Sequence, residues 1–111
     1  MKFESSKPNV QMMARNKNVI GLTRTLKYKD NFVKIESVWA LARLGELGVV
    51  PLIKALKNKD KIFRQNAIIA LAKIGKVTIK PLTKALSDKD KNVQRAAKEA
   101  LEKIEAKKSS Q

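Results

Sequence analysis

No set of side chains in the sequence has the look of a reaction centre, and the nearest approach is a trio near its middle. Glu36, Trp39 and Arg43 follow one another at three and four residues, so a helix would place a carboxylate, an indole and a guanidinium on one face. Such a trio arises easily by chance on a charged helix. The chain also has no cysteine and no histidine, which removes thiolate nucleophiles, imidazole bases and the usual zinc ligands. We therefore expect no enzyme activity, no catalytic residue, no metal site and no cofactor.

The charge balance is strongly basic. Lysine and arginine number 25 against 10 aspartates and glutamates, for a net charge of +15 and a pI near 10.3. Such a field attracts polyanions. Lysine supplies 20 of these cations, however, and lysine enrichment also follows from genome composition or from life at high temperature. Whether the charge is functional or only a solvated surface stays open from composition alone.

Length and hydropathy predict one cytoplasmic domain over residues 1–111. A hydrophobic content of 43% is ordinary for a soluble globular protein with a modest core. No run approaches the ~18 apolar residues of a membrane span. Residues 1–8 lack the apolar centre of a secretory signal. We expect a cytoplasmic protein without membrane contact.

A register of 30 residues runs through most of the chain. It is marked by leucines at Leu26, Leu56 and Leu86, by Lys-Asp pairs ending at Asp30, Asp60 and Asp90, and by Ala-Leu pairs ending at Leu41, Leu71 and Leu101. A fixed period of this size is typical of one helical hairpin that is copied and stacked. The sequence therefore predicts an all-α fold of about three stacked helical hairpins.

Local signals indicate where these helices begin and end. Pro51 and Pro81 fall in the first turn of the first helix of a hairpin, where backbone N–H groups have no intrahelical partner. Each aspartate of the register precedes a second helix and is expected to be its N-cap. Gly45 and Gly75 are expected to end the second helices. The predicted buried stripe of these helices is Val33, Ser37, Ala40, Leu41 and Leu44, then Phe63, Ala67, Ala70, Leu71 and Ile74, then Val93, Ala97, Ala100, Leu101 and Ile104.

The two ends of the stack differ from its middle. A short helix before the first hairpin is expected to cover one end. In the third hairpin, charged residues such as Glu102 replace apolar ones outside the stripe, as the last unit of a stack requires. The predicted bounds are 9–17 for the N-terminal cap, 18–45, 48–75 and 78–105 for repeats, and 106–111 for a frayed tail.

Two of the copies resemble a known repeat family. Residues 51–60 read Pro-Leu-Ile-Lys-Ala-Leu-Lys-Asn-Lys-Asp. Residues 63–75 place an apolar Phe63, Ala67, the pair Ala70-Leu71 and the final pair Ile74-Gly75 at fixed spacing. Both are similar to HEAT-like repeats, also known as phycobilisome-lyase HEAT-like repeats, over about residues 9–105. The resemblance implies a right-handed α-solenoid. Most members are scaffolds or partner-binding modules, and the word lyase implies no activity for a lone stack of repeats.

The resemblance also implies a binding face. In this family the second helices line the concave face, and stacking is expected to bring Trp39 beside Ile69 and Phe32 beside Ile62. An exposed apolar patch of this kind marks an interface, and tryptophan is over-represented among residues that dominate binding energy. The predicted residues for binding a protein or peptide are Phe32, Ile35, Glu36, Trp39, Ile62, Gln65, Asn66, Ile69 and Arg95.

Three alternatives to a partner site stay open for this patch. The N-terminal segment, at Phe3 or at Met12 and Met13, could fold over it. Rotation of the helix could bury Trp39 in the core between repeats. Two copies of the chain could hide the patch in a homodimer.

Rows of cations indicate a rival function. Helix packing would space equivalent residues about 10 Å apart, so that they could follow the phosphates of a nucleic acid with salt-sensitive affinity. The possible phosphate-binding residues are Lys29, Lys34, Arg43, Lys59, Arg64, Lys73, Lys89 and Lys103. No motif for reading bases accompanies them, so such binding should be independent of sequence. The alternative is that they are solvated side chains at turns.

A remote third interpretation is enzymatic. Some DNA glycosylases are built from HEAT-like repeats and use a tryptophan, a carboxylate and basic residues, an arrangement that Glu36, Trp39 and Arg43 resemble. The chain is much shorter than such enzymes. We therefore favour a non-catalytic binding or scaffold module.

Overall fold

A computed structural model describes residues 7–109 of the chain. Within this range the chain forms seven α-helices and no strand. They are α1 (Val10–Arg15), α2 (Val19–Thr25), α3 (Asn31–Arg43), α4 (Val49–Lys54), α5 (Lys61–Ile74), α6 (Ile79–Ala85) and α7 (Lys91–Ser109). Short 3₁₀ turns precede α4 and α6, and another follows α4. The predicted all-α fold is confirmed.

An aspartate begins each of the long helices α3, α5 and α7. Asp30 Oδ1 accepts hydrogen bonds from the backbone N–H groups of Phe32 and Val33, at 2.8 and 3.2 Å. The corresponding distances are 2.9 and 3.3 Å at Asp60, and 2.8 and 3.3 Å at Asp90. Each carboxylate thus satisfies N–H groups that have no partner within the helix. The three predicted N-caps are confirmed.

The predicted chain reversals are also present. Gly45 has a φ of 65° and Gly75 a φ of 85°, the left-handed region that residues with a Cβ rarely adopt. Pro51 and Pro81 are the third residues of α4 and α6, inside the first turn. The helical hairpins therefore form where the local signals of the sequence place them.

Asp30 differs from the other two caps because it also forms an ion pair. Lys7 Nζ lies 2.9 Å from Asp30 Oδ2. The hydrogen bond between the two side chains raises the pKa of Lys7, and together with the N–H of Val33 it lowers the pKa of the Asp30 carboxyl. Because the folded-state pKa is the lower one, the contribution of Asp30 to stability is complete above the usual aspartate pKa and is lost as the pH falls through the lowered value.

The helices pack as three hairpins in a row. Helix α2 packs against α3, α4 against α5, and α6 against α7, while α3, α5 and α7 pack side by side. Helix α1 packs against α2 and α3 and so covers the first end of the stack. The molecule is elongated, with extents of 55 × 28 × 21 Å. The predicted α-solenoid with an N-terminal capping helix is confirmed, and the exact repeat bounds stay a prediction.

Small residues of the long helices let neighbouring helices approach closely, and Ser37 in α3 donates to Thr25 Oγ1 in α2. One apolar core extends from Val10 in α1 to Ile104 in α7. In α3, α5 and α7 the small members of the predicted stripe have no exposed surface; they are Ser37, Ala40, Ala67, Ala70, Ala97 and Ala100. Interiors are packed as tightly as organic crystals, so larger side chains at these positions would push the helices apart.

The C-terminal end of the chain differs from the prediction. Helix α7 continues to Ser109, whereas the sequence predicts fraying from residue 106. The reason is local, because Ala106, Lys107 and Lys108 are strong helix formers and cations are favoured at a helix C-terminus. Residues 110–111 lie outside the described range.

Substitution of Asp60 tests whether the aspartate N-caps stabilise the long helices. We expect Asp60→Ala to lower the free energy of unfolding by about 1 kcal/mol, because two N–H groups lose their acceptor. Asp60→Asn should cost much less, since its amide oxygen can accept the same bonds. Urea denaturation measures both variants. Equal losses in the two variants would contradict the capping role.

Candidate functional site

Two large apolar side chains are exposed at the starts of adjacent helices. Phe32 and Ile62 are the second residues of α3 and α5, two positions after the N-caps, and they are 72% and 71% exposed. Two turns further along α5, Ile69 is 38% exposed. We refer to Phe32, Ile62 and Ile69 as the apolar patch. In α7 the equivalent of Ile62 is Asn92, so the patch ends at the second hairpin.

The starts of α3 and α5 lie at the same level. Lys34 Nζ, in the first turn of α3, lies 5.5 Å from the centre of the Phe63 ring in the first turn of α5. A cation at this distance over an aromatic face is attracted by the ring. Because the first turns of the two helices meet in this way, Phe32 and Ile62 extend into solvent from neighbouring parts of the surface.

Trp39 is less exposed than the sequence predicts. Its ring is half-buried and packs against the core, and its Nε1 donates to Asn66 Oδ1 in α5 at 3.2 Å. Asn66 Nδ2 in turn donates to the carbonyl oxygen of Ile62, at 2.9 Å. Ile35 is also half-buried and packs against the core. Rotation of α3 therefore buries part of the surface that the sequence assigns to a partner.

Polar side chains of the predicted site join neighbouring helices. Gln65 Nε2 in α5 donates to Glu99 Oε1 in α7, at 3.3 Å, over a separation of 34 residues. The bond from Trp39 to Asn66 spans 27 residues. These separations lie on either side of the 30-residue register, so equivalent positions are side by side to within about one helical turn of 3.6 residues. Gln65 and Asn66 thus have structural partners within the chain.

Gln11 is a functional position that the sequence analysis misses. Its Nε2 donates to Glu36 Oε2 at 2.9 Å, and its Oε1 accepts from Arg43 Nη2 at 3.0 Å, so one amide joins α1 to two turns of α3. The only signal in the sequence is the prediction that a helix covers this end of the stack. The contact follows from the way α1 packs, which the repeat register does not determine.

Glu36, Trp39 and Arg43 all take part in contacts between helices. Glu36 and Arg43 both bind Gln11, and Trp39 binds Asn66. Over residues 7–109 no group of three or more His, Cys, Asp or Glu side chains is placed to hold a metal ion. The arrangement holds neighbouring helices together and offers apolar surface.

The structure tests part of the hypothesis that the N-terminal segment covers the apolar patch. Met13 is half-buried and packs against the core, while Met12 is 52% exposed. Phe3 lies outside the described residues. Arg95, the remaining residue of the predicted partner site, is exposed and donates to Asn92 Oδ1 at 2.9 Å. None of the described contacts covers Phe32 or Ile62, which keep most of their surface.

The eight candidate phosphate-binding cations are divided between two edges. Those of the inter-helix links and of the first helical turns lie at one edge; they are Lys29, Lys34, Lys59, Arg64 and Lys89. Arg43 and Lys73 are in the last turns of α3 and α5, and Lys103 is at the equivalent position of α7, about 15–20 Å away along the helices at 1.5 Å per residue. Arg64 also donates to the carbonyl oxygens of Asn58 and Lys59, at 2.8 and 3.0 Å. The cations therefore lie in two separate rows, and their role in phosphate binding stays a prediction.

The first helices carry exposed aliphatic side chains that the sequence analysis does not single out. Ile20 in α2 is 70% exposed and Val50 in α4 is 62% exposed. Leu47 and Val77, in the turns before α4 and α6, are 54% and 48% exposed. No helix within residues 7–109 has the length and hydropathy needed to cross a membrane.

Comparison with known proteins gives one family. No curated protein sequence matches the chain. The family model described as HEAT repeats matches residues 49–111, which contain α4 to α7 and make up more than half of the chain. These helices carry the aspartate caps, the buried alanines and the glycine reversal that the structure shows. The chain belongs to the HEAT repeat family.

Proposed function

We propose that this protein is a non-catalytic interaction module that binds a protein or peptide through the face of α3, α5 and α7. HEAT repeats are generally scaffolds for protein interactions. The observation that carries the proposal is the exposure of Phe32 and Ile62, at 72% and 71%, at the same level of two packed helices. Large apolar side chains that are paired in this way on a rigid surface are typical of an interface.

The apolar patch can supply much of the binding energy. Complete burial of a Phe or Ile side chain contributes about 1.5–3 kcal/mol, so Phe32 and Ile62 together can provide several kcal/mol of affinity. The half-buried ring of Trp39 lies further along α3, where its fixed orientation adds surface without a large cost in conformational entropy. Glu36, Gln65 and Asn66 contribute mainly by keeping the helices in register, because each forms a hydrogen bond to a neighbouring helix, Asn66 as the acceptor for Trp39 Nε1.

Cations beside the patch favour an acidic partner. A shallow groove of about 190 Å³ lies between the first halves of α5 and α7, next to Ile62 in sequence, and Lys61, Arg64 and Arg95 line it. Glu99 is the carboxylate of this groove, and its Oε1 accepts from Gln65. A partner segment with apolar anchors and nearby carboxylates would match the surface in both hydropathy and charge.

The double variant Phe32→Ser, Ile62→Ser tests the proposed face. Peptides would be selected from a displayed random library on the wild-type chain, and their affinities measured by fluorescence anisotropy. We expect the double variant to bind at least about 30-fold more weakly, because two buried apolar anchors are removed. Ile20→Ser is the matched control, since Ile20 is 70% exposed on α2, away from this face. Unchanged affinity in the double variant would overturn the proposal.

The rival function is binding of nucleic acid without sequence preference. Lys29, Lys59 and Lys89 support it, because they are exposed in equivalent links of the three hairpins. If lysines neutralise phosphates, counterions are released on binding. The logarithm of affinity then falls with the logarithm of salt concentration, with a slope of about −0.7 to −0.9 for each phosphate contact. We expect a slope near zero for a single-stranded oligonucleotide, or no binding at physiological salt. Tight binding with a steep slope that survives Phe32→Ser, Ile62→Ser would favour the rival.

Four finer assignments also stay proposals. The pattern of residues 51–75 supports the phycobilisome-lyase HEAT-like subgroup within the family. The composition supports a cytoplasmic location. The continuous core supports one domain with the repeat bounds given above. The apolar patch would also be satisfied by a homodimer, which sedimentation equilibrium of the wild-type chain would reveal.

A further inference from the structure

Three shallow grooves run along the outer side of the first helices α2, α4 and α6. Their volumes are about 470, 550 and 870 Å³ in chain order. Lys54 lines both the first and the second groove. Pro81 and Lys84 line both the second and the third. The grooves are therefore continuous, and we refer to them together as the first-helix trough.

The floor of the trough is apolar and recessed. Leu26 and Pro51 in the first groove are buried, as is Ala85 in the second, while Ile53 and Ile79 are half-buried. Because these side chains lie below the rim, an occupant must insert its own side chains to reach them. Volumes of about 300–1,000 Å³ are typical of sites that accept a ligand group.

The rim of the trough is cationic. The lysines among the residues that line it are Lys27, Lys54, Lys57, Lys76, Lys80 and Lys84. Asp88 is the carboxylate among these lining residues, and its Oδ1 already accepts from the backbone N–H of Asp90 at 2.9 Å. Six lysines against one engaged carboxylate make the trough complementary to an anionic occupant.

Helix stability explains only part of this arrangement. Lys54 and Lys84 are in the last turns of α4 and α6, where a cation is favoured by the helix dipole. Lys76 comes directly after the C-cap Gly75 of α5, where the dipole of that helix also favours a cation. Lys80 is instead in the first turn of α6, where the dipole disfavours a cation, so helix stability does not explain this lysine.

We propose that the first-helix trough binds an extended acidic segment of a partner protein, with carboxylates paired to the lysines and apolar side chains on the floor. Helix axes about 8–10 Å apart place the three first helices across about 20 Å, which an extended chain spans in about six residues. This surface is separate from the apolar patch, so the two can bind independently.

The same observations disfavour other anionic occupants. Bases of a single-stranded nucleic acid stack on exposed aromatic rings, but Phe63, the aromatic residue that lines the first groove, is only 2% exposed. A membrane surface is bound by several apolar side chains that protrude, whereas Val50, at 62% exposed, is the single protruding one among the lining residues and the remaining apolar ones are buried or half-buried. An acidic peptide satisfies both the lysine rim and the recessed floor.

The test uses the whole chain and a fluorescein-labelled peptide of about ten alternating glutamate and valine residues, longer than the roughly six that the trough spans. Valine favours the extended conformation. We expect anisotropy to show saturable binding. Val50→Asp, which adds a carboxylate to the second groove, should weaken it about tenfold, as should Lys54→Glu at the junction of two grooves.

Matched controls separate the trough from general charge. Val77→Asp changes an exposed valine outside the trough, and Lys98→Glu reverses an exposed lysine of α7; both should leave the affinity within about twofold. Equal weakening by Val50→Asp and Val77→Asp, or by Lys54→Glu and Lys98→Glu, would overturn the proposal. Absence of saturable binding would overturn it as well.

Two further binding experiments would reveal a different surface for the acidic peptide or a different occupant of the trough. If Ile62→Ser weakens peptide binding and Val50→Asp does not, the acidic segment binds at the apolar patch; the trough proposal then fails while the proposed function stands. Oligothymidine and vesicles that contain phosphatidylserine are tested in parallel. Binding of either that exceeds peptide binding and is lost in Val50→Asp would assign the trough to that occupant and overturn the proposal.

Discussion

Close packing of neighbouring helices through small side chains is the constraint on which the rest of the structure depends. Ala40, Ala70 and Ala100 have no exposed surface, and neither do the small residues one turn before them, of which Ser37 donates to Thr25 Oγ1 in α2. Because the same small side chains recur every 30 residues, the three hairpins pack alike, and the long helices stack with equivalent positions side by side. The paired exposure of Phe32 and Ile62 is a consequence of that register.

The face of these helices divides its residues between two roles. Glu36, Gln65, Asn66 and the indole N–H of Trp39 form hydrogen bonds that join neighbouring helices. Within residues 7–109, by contrast, no contact covers Phe32 or Ile62, which keep 72% and 71% of their surface exposed. The hydrogen bonds hold the helices around the apolar patch in fixed positions before any partner binds. The entropy cost of ordering this chain on binding is therefore small.

Local chemistry made most of the fold predictable from the sequence. The aspartate caps and the glycine reversals depend on residues near one another in the chain, and they are found where they were expected. Of the predicted stripe, Leu44, Ile74 and Leu101 are only half-buried, and the other members are buried. The half-burial of Trp39, the bridge formed by Gln11 and the first-helix trough depend on how far each helix rotates and how it meets its neighbours. The 30-residue register contains no such information, because rotation of a helix leaves the register unchanged.

The register of α3 against α5 is tested most directly by the NMR resonance of the indole N–H proton of Trp39, the single tryptophan of the chain. If α3 and α5 stack in the described register, its proton shows nuclear Overhauser effects to the side chain of Asn66, exchanges slowly with water, and shifts strongly in Asn66→Ala. A freely exchanging indole proton without contact to Asn66, unaffected by that substitution, would contradict the register and with it the paired surface of Phe32 and Ile62.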